Sequence, residues 1–276
     1  MKRLRSPLLV VGGGIVTLLG VVAVFAPLLA PHDPLALSGP SLVRPSAGHL
    51  LGTNDIGQDI FSQVVWGARS SLSVGVAAAV LAIGLGLAVG VTAGLAGGWV
   101  DTVAMRVVDV VLAVPLLPLL VLIAALAGAR RSNLVLIIGL TGWPPSARIL
   151  RAQTLTLCNR GFVDAARGFG GGFFHVVRRH LVPALGPLLV TGFVSVVAHA
   201  VLVEAGLAFL GLADPTGVSW GLILNRALLH QGLYFTALWT WWVLPAGFAV
   251  TLAVLGFTFV GVGLEPSFNP RWQRSG

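Results

Sequence analysis

The sequence predicts an all-α integral membrane protein with six transmembrane helices, and two observations predict it. Hydrophobic residues make up 56% of the 276 residues and charged residues 9%, with a mean hydropathy of +0.94. A soluble domain carries about 25% charged residues. So few charges cannot coat a soluble surface of this size, so the chain must meet lipid over much of its exterior. The apolar residues also gather into runs of about 20, the length a helix needs to cross the hydrocarbon core. The runs are continuous rather than alternating, which favours helices over a β-barrel.

The first run, residues 8–30, follows Lys2, Arg3 and Arg5. It is longer than the roughly 7–15 residues of a secretory h-region, and Pro31 disfavours cleavage after Ala30, so it reads as a retained signal anchor. A loop over 31–71 follows, with Pro31, Pro34, Pro40 and Pro45 and then a more helical stretch over 55–69. The second run is 74–95 and the third 107–127. The fourth, 134–150, is interrupted by Pro144 and Pro145. A segment over 148–183 reads as two short helices around a glycine hinge, Gly170-Gly171-Gly172. The fifth run is 184–203. The sixth, 237–260, opens with Trp239, Trp241 and Trp242, read as an interfacial aromatic belt. The chain thus divides into 1–71 (tail, anchor and loop), a membrane core over 72–265 that includes 148–183, and a tail over 266–276.

Cation placement sets the orientation. With the N-terminus inside, the inner segments carry Lys2, Arg3, Arg5, Arg106, Arg148, Arg151, Arg160, Arg167, Arg178, Arg179, Arg271 and Arg274, and the outer ones Arg44, Arg69, Arg130, Arg131 and Arg226. Six spans put both termini in the cytoplasm. The net charge of +8 is therefore a topological signal, and no nucleic-acid partner is expected.

Several chemistries are absent. A P-loop needs a Lys after its second Gly, and Lys2 is the only lysine, so any ATP is hydrolysed by another chain. Residues 168–173 resemble a dinucleotide fingerprint but end in Phe173 with no preceding strand. No His-Glu-x-x-His motif exists. On an α-helix His175 and His180 lie about 140° apart, which argues against a shared metal. The lone cysteine, Cys158, makes no intrachain disulfide. No catalytic residue, metal site or bound cofactor is expected. His199 and Glu204, in or near the end of the fifth run, are candidates for a solute path because charges in lipid usually face a bundle interior or water. For Glu204 an interfacial position stays equally open. Asp101 and Asp109 read as ordinary interface residues.

The positive signal is the 148–183 segment. It contains Asp164-Ala165-Ala166-Arg167-Gly168-Phe169-Gly170, then nine residues, then His180-Leu181-Val182-Pro183. Ala165 and Ala166 let a helix approach a partner closely, Gly170 permits a sharp reversal, and Pro183 suits the first turn of the next span. Loops this long are usually functional or disordered, and this one lacks a disordered composition.

This spacing resembles the EAA loop of ABC importer permeases (Glu-Ala-Ala, three residues, Gly, nine residues, Ile-x-Leu-Pro), with Asp164 in place of Glu, His180 of Ile and Val182 of Leu. Residues 51–59, LGTNDIGQD, with GARSSL at 67–72, look like the LGTDxxGRD…GARxSL stretch of the C-type permease subunit of dipeptide, oligopeptide and nickel importers, departing at Asn54 and Gln58. Gly142-Trp143-Pro144 with Ala147, Arg148 and Arg151 matches that group's fourth-span exit. Residues 204–212, EAGLAFLGL, with Ser219-Trp220-Gly221, are similar to EAxLSFLGLG…WG, and the tail 261–271 to GDGLRDxLDPR, with Val262 in place of Asp. The resemblance implies a MetI-like type I importer permease fold in the bacterial inner membrane. It implies a B-type permease partner, two ATPase subunits that use ATP and Mg, and an extracytoplasmic solute-binding protein. Asp164, Ala165, Ala166, Gly170 and Pro183 then belong to the loop that docks the ATPase. The implied cargo is peptide, with nickel the alternative. A secondary transporter or channel fits less well because intramembrane charges are sparse, and a membrane enzyme because no nucleophile–base pair is present.

Overall fold

The computed structural model describes residues 7–268, apart from the side chains of residues 162, 164, 167 and 266–268. The expectations placed on Lys2, Arg3, Arg5, Arg271 and Arg274 lie outside the described residues. Every regular element among the described residues is helical. The first run forms α1 (Pro7–Val24) and a short α2 (Ala26–Leu29). The loop then runs to Asp59, whose carboxylate caps α3 (Ile60–Ala96) by accepting from the Ser62 backbone N–H at 2.8 Å, satisfying one of the orphan donors of a helix start. The helical stretch expected inside the loop is thus the first part of α3. The expected division at 71/72 falls within one continuous helix.

The third run is broken. α4 (Gly98–Ala113) and α5 (Leu116–Ala127) meet at 87°. Pro115 supplies no N–H and forces the preceding residue toward extended backbone, and Val114 has ψ 130°. The fourth run does the opposite: α6 (Arg131–Cys158) stays helical through Pro144 and Pro145. α7 (Gly161–Gly168) follows after two residues. α8 (Phe173–Val176) leads through a π-turn over Val177–Leu181 into α9 (Val182–Phe209). The second short helix expected in the 148–183 segment is therefore fused to the fifth span. Pro183 stands in the first turn of α9 as expected, but the residues before it are already helical. It cannot donate to the carbonyl four residues back and its ring crowds that turn, and the widened π-turn immediately before it relieves this. α10 (Trp220–Leu229), a 3-10 turn over Leu233–Phe235 and α11 (Leu238–Phe268) complete the chain.

Among the described residues, four helices are individually long and apolar enough to cross a membrane, and the bent α4–α5 pair makes five. Packing identifies α6 as the sixth. Leu81 meets Gly139, Gly86 meets Ser146, Gly90 meets Ala147 and Leu150, and Gly94 meets Thr154. The numbers rise together, so α3 and α6 run parallel, side by side. At the other end Arg131, which opens α6, donates to the Ser70 carbonyl at 3.2 Å. From Ser70 to Gly94 α3 rises about 36 Å at 1.5 Å per residue, and the hydrocarbon core is about 30 Å thick. The α4–α5 pair must bring the chain back over that height, which makes six crossings. α9 runs antiparallel to α3, with Val201 against Gly75 and Ile83 against Gly192. α1 runs antiparallel to α11, with Leu9 against Gly263 and Ile15 against Gly256.

The largest core joins α1, α3, α9, α10 and α11 around Trp220 and Trp242, both fully buried. Trp220 Nε1 donates to the Val64 carbonyl at 2.9 Å, tying α10 to α3. The tryptophan belt expected at the start of the sixth span is only partly present. Trp239 is exposed, but Trp242 is a core residue packed beside the His230 ring.

At the α3 start, the two positions that depart from the family stretch prove to be partners. Asn54 donates its amide to Gln58 Oε1 at 2.9 Å, and its own oxygen accepts from the Gln58 backbone N–H at 2.9 Å. Gln63 donates to the same Gln58 oxygen at 2.7 Å, and Gln58 Nε2 reaches the Leu35 carbonyl at 2.8 Å.

A Cβ on Gly90 would lie 2.5 Å from the Ala147 carbonyl oxygen, whereas one on Gly84 would meet nothing within 4 Å. Gly90→Ala should therefore lower the thermal stability of the detergent-solubilised protein by an overpacking cost of about 1–3 kcal/mol. Gly84→Ala should leave it unchanged or raise it by about 0.5–1 kcal/mol. Equal melting temperatures for the two variants would contradict the close α3–α6 approach.

Candidate functional site

Two features at different levels of the bundle carry functional geometry. The first is a cavity of about 650 Å³ walled by α4, α5, α6, α9 and α11, with Ile83 of α3. Its wall is mostly aliphatic, with Thr141, Ser146, Thr191, Ser195, His199 and Glu265 as the polar groups. Thr191, Ser195 and His199 recur every four residues, which places them on one face of α9. Thr191 Oγ1 donates to the Pro187 carbonyl at 3.2 Å, Ser195 Oγ to the Thr191 carbonyl at 3.0 Å, and Thr141 Oγ1 to the Ile137 carbonyl at 2.6 Å. Each hydroxyl spends its proton on its own helix and keeps acceptor lone pairs for a visitor. Pro145 also leaves the Thr141 carbonyl without its helical donor, at a residue that lines the cavity. The wall is thus mostly aliphatic and lightly polar, rich in hydrogen-bond acceptors, with Glu265 and His199 as its ionisable groups.

The structure separates the two candidate path residues. His199 is exposed on the cavity wall. Glu204, five residues on and out of phase, lines a different pocket of about 670 Å³, together with Trp66, Arg69, Arg131, Asp214 and Ser219. It is 2% exposed, flanked by the hydroxyls of Ser71 and Ser219, and its Oε2 has no hydrogen-bond partner. Glu204 therefore does not line the first cavity, and it is buried rather than reaching water at an interface. Asp101 and Asp109 are also more than interface residues. Asp101 pairs with both Arg151 Nε and Arg151 Nη2, the latter at 2.5 Å, and Asp109 with Arg148 at 2.5 Å. These pairs fasten α4 to α6 at the end of the bundle where the hinge lies.

The second feature is that hinge. α7 packs inward through Val163, which is fully buried with Leu157, Val176, Leu181 and Leu185. Its C-terminus closes in a Schellman turn. The Gly171 N–H bonds the Ala166 carbonyl at 2.8 Å while Gly170 takes φ +82°, a left-handed conformation that favours glycine. The reversal expected at Gly170 is present, and its neighbour has no room for a side chain: a Cβ on Gly171 would lie 2.5 Å from the Ala166 carbonyl oxygen. The outward face holds Ala165, Phe169 (93% exposed) and Phe174 (84% exposed). Ala165, Ala166, Phe169, Gly170 and His175 line a groove of about 530 Å³. Asp164 lies on α7, but its side chain is outside the described residues. Pro183 stands off the groove, at the π-turn.

The π-turn also changes the relation of the two hinge histidines. Taken as α-helical they point apart. With the wider turn between them the rings of His175 and His180 lie 5.7 Å apart. Sequence reasoning missed Thr141, Ser146, Thr191, Ser195 and Glu265 as wall residues. The one available signal was the four-residue spacing of Thr191, Ser195 and His199 in an otherwise apolar helix.

Comparison with known proteins agrees with this architecture. Residues 82–274 match the family described as binding-protein-dependent transport system inner membrane component. Residues 2–43 match the N-terminal transmembrane domain of oligopeptide transport permease C. The chain is 34% identical over 278 residues to the dipeptide transport system permease protein DppC of Bacillus subtilis (strain 168), covering 99% of this chain and 85% of that one. It is 35% identical over 281 residues to the oligopeptide transport system permease protein OppC of the same organism, covering 99% and 89%. It is 35% identical over 273 residues to the dipeptide transport system permease protein DppC of Alkalihalophilus pseudofirmus, covering 98% and 88%. Six crossings, a solute-sized cavity and a glycine-fixed helical hinge on a chain matched this broadly make it a multi-pass permease that belongs to the family of inner-membrane components of binding-protein-dependent transport systems.

Proposed function

We propose that this chain supplies half of the translocation path of an ATP-driven peptide importer and docks an ATPase subunit through the hinge at 161–172. One observation carries the reading: the exposed face of Ala165, Phe169 and Phe174 beside a backbone reversal fixed by Gly170. Exposed aromatics on a rigid, glycine-shaped projection are what a protein partner's groove requires, and lipid offers no reason for the reversal. ATP and Mg are used by the docked subunits, since Lys2 is the only lysine and no P-loop exists. The hinge end faces the cytoplasm, following the cation count, and the loop over 31–59 faces outward toward a solute-binding protein. A B-type permease closes the open side of the cavity.

Peptide is the cargo this wall favours. Its hydroxyls and its proline-freed carbonyl accept hydrogen bonds from peptide N–H and ammonium groups, and its aliphatic majority tolerates varied side chains. Nickel is the alternative, and the wall offers it one imidazole, His199, and one carboxylate, Glu265, fewer ligands than a divalent transition metal normally takes. Uptake of a labelled dipeptide and of nickel by cells that depend on this chain decides between them.

Gly170→Val strains the hinge, because L side chains rarely adopt φ +82°. It should reduce uptake to background while the chain stays in the membrane at normal abundance and the ATPase subunits no longer co-purify. Full uptake in that variant contradicts the docking role. Ser195→Trp should block uptake with the ATPase subunits still attached, because it fills the cavity and leaves the hinge untouched. Undiminished uptake would remove the cavity from the path.

A further inference from the structure

We propose that His32, His49 and Asp59 form a binding site for one divalent transition-metal ion of the zinc type, held against the N-terminus of α3. No sequence spacing points to it, because the three residues are spread over the long proline-rich loop and are joined only by its fold.

The Asp59 side chain is fully buried. Its Oδ2 caps α3 through the Ser62 N–H at 2.8 Å, and its Oδ1 lies 3.0 Å from His49 Nδ1. The His32 backbone N–H donates to Ser62 Oγ at 3.2 Å, which fixes His32 beside the same turn. The two imidazole rings stack, with centroids 4.9 Å apart and planes 28° apart. Both therefore present Nδ1 to one carboxylate. His32 Nδ1 is 3.9 Å from Asp59 Oδ2, too far for a hydrogen bond, and it is buried with no hydrogen-bond partner. A buried ring nitrogen in that position needs an explanation.

A metal ion supplies one. The three donor atoms lie within 4.8 Å of one another. Zinc takes nitrogen at about 2.0–2.1 Å and carboxylate oxygen at about 2.0–2.2 Å, so tetrahedral neighbours stand roughly 3.4 Å apart. His49 Nδ1 stands 3.0 Å from Asp59 Oδ1 and His32 Nδ1 stands 3.9 Å from Asp59 Oδ2, so each ring reaches the one carboxylate at about that spacing, through a different oxygen. Two imidazoles and one carboxylate suit zinc, cobalt or nickel and not calcium or magnesium, which prefer all-oxygen shells. Binding is a ligand exchange with no redox step. The single ring proton of neutral His49 moves by exchange with solvent from Nδ1 to Nε2, the ion bonds both Nδ1 atoms and one Asp59 oxygen, and water takes the fourth position. His32 is one-third exposed, so that position is reachable from solvent. The ion would pin the loop at residues 32 and 49 to the start of α3. Nothing in this assignment depends on the transport reading.

The test uses the full-length chain, purified in detergent with a histidine-free tag and stripped with chelator. It is titrated with cobalt(II), whose tetrahedral complexes absorb strongly in the visible. The expected result is a saturating spectrum at one cobalt per chain, bleached by zinc, present in the double variant His175→Gln/His180→Gln and lost in His32→Ala. His32→Ala removes a partly exposed ring that makes no side-chain hydrogen bond, and unchanged far-UV circular dichroism will confirm its fold. Zinc should also raise the melting temperature of the native chain and not that of His32→Ala. Failure to reach one tetrahedral cobalt per chain, a spectrum that survives His32→Ala, or one that disappears with His175 and His180 overturns the assignment.

Discussion

The parallel contact between α3 and α6 is the constraint on which the rest of this molecule depends. Lipid offers no hydrophobic drive for two apolar helices to associate, so they must meet through close van der Waals packing. Gly90 provides it, with its Cα facing the Ala147 carbonyl at a distance that excludes any side chain. Because the pair is parallel, the chain must recross between them. The α4–α5 segment does so with an 87° break, and the ion pairs of Asp101 with Arg151 and Asp109 with Arg148 hold α4 to α6 on the return. Two α-helices stacked so tightly leave no path between them. The cavity lies instead on the other side of α6, against α9.

The spans were readable in the sequence because a run of apolar residues is a sufficient signal for a helix in lipid, where every backbone group must be satisfied internally. What the runs could not convey is where a proline breaks a helix and where it is absorbed. Pro115 ends α4, while Pro144 and Pro145 sit inside a continuous α6. The difference is packing. Gly139 and Ala147 press α6 against α3 on either side of its prolines, whereas Pro115 follows the exposed Val114. Hydropathy has no access to that distinction.

The hinge shows the same division. Gly170 and the small residues before it were legible from spacing, because left-handed backbone favours one residue type. The π-turn was not. It depends on a clash that Pro183 would make with the preceding turn, and it reverses the angular relation between His175 and His180 that an α-helical wheel gives. Asn54 and Gln58 are comparable. Read singly they are two departures from a family stretch that carries Asp and Arg at those positions. In the fold they are bonded to each other as a neutral amide pair. Both side chains are buried, so a neutral pair that satisfies its own hydrogen bonds carries no unpaired buried charge.

Hinge and cavity are joined by one continuous stretch of helix. From Phe173 to Phe209 no turn interrupts the chain, so the helix that begins beside Gly172 also carries Thr191, Ser195 and His199 on the cavity wall, and ends with Glu204 buried against Ser71 and Ser219. A displacement applied at the hinge is therefore delivered to the wall without passing through a flexible linker. The soft points of this stretch are the π-turn, whose i→i+5 geometry is less regular than the helix on either side, and Pro187, which removes one backbone hydrogen bond. At the far end, Glu204 is packed against α3 and α10, which are tied to each other by Trp220. Thr191, Ser195 and His199 lie on the length of helix between the hinge and that anchored end, so the cavity's polar stripe and the hinge belong to one rod.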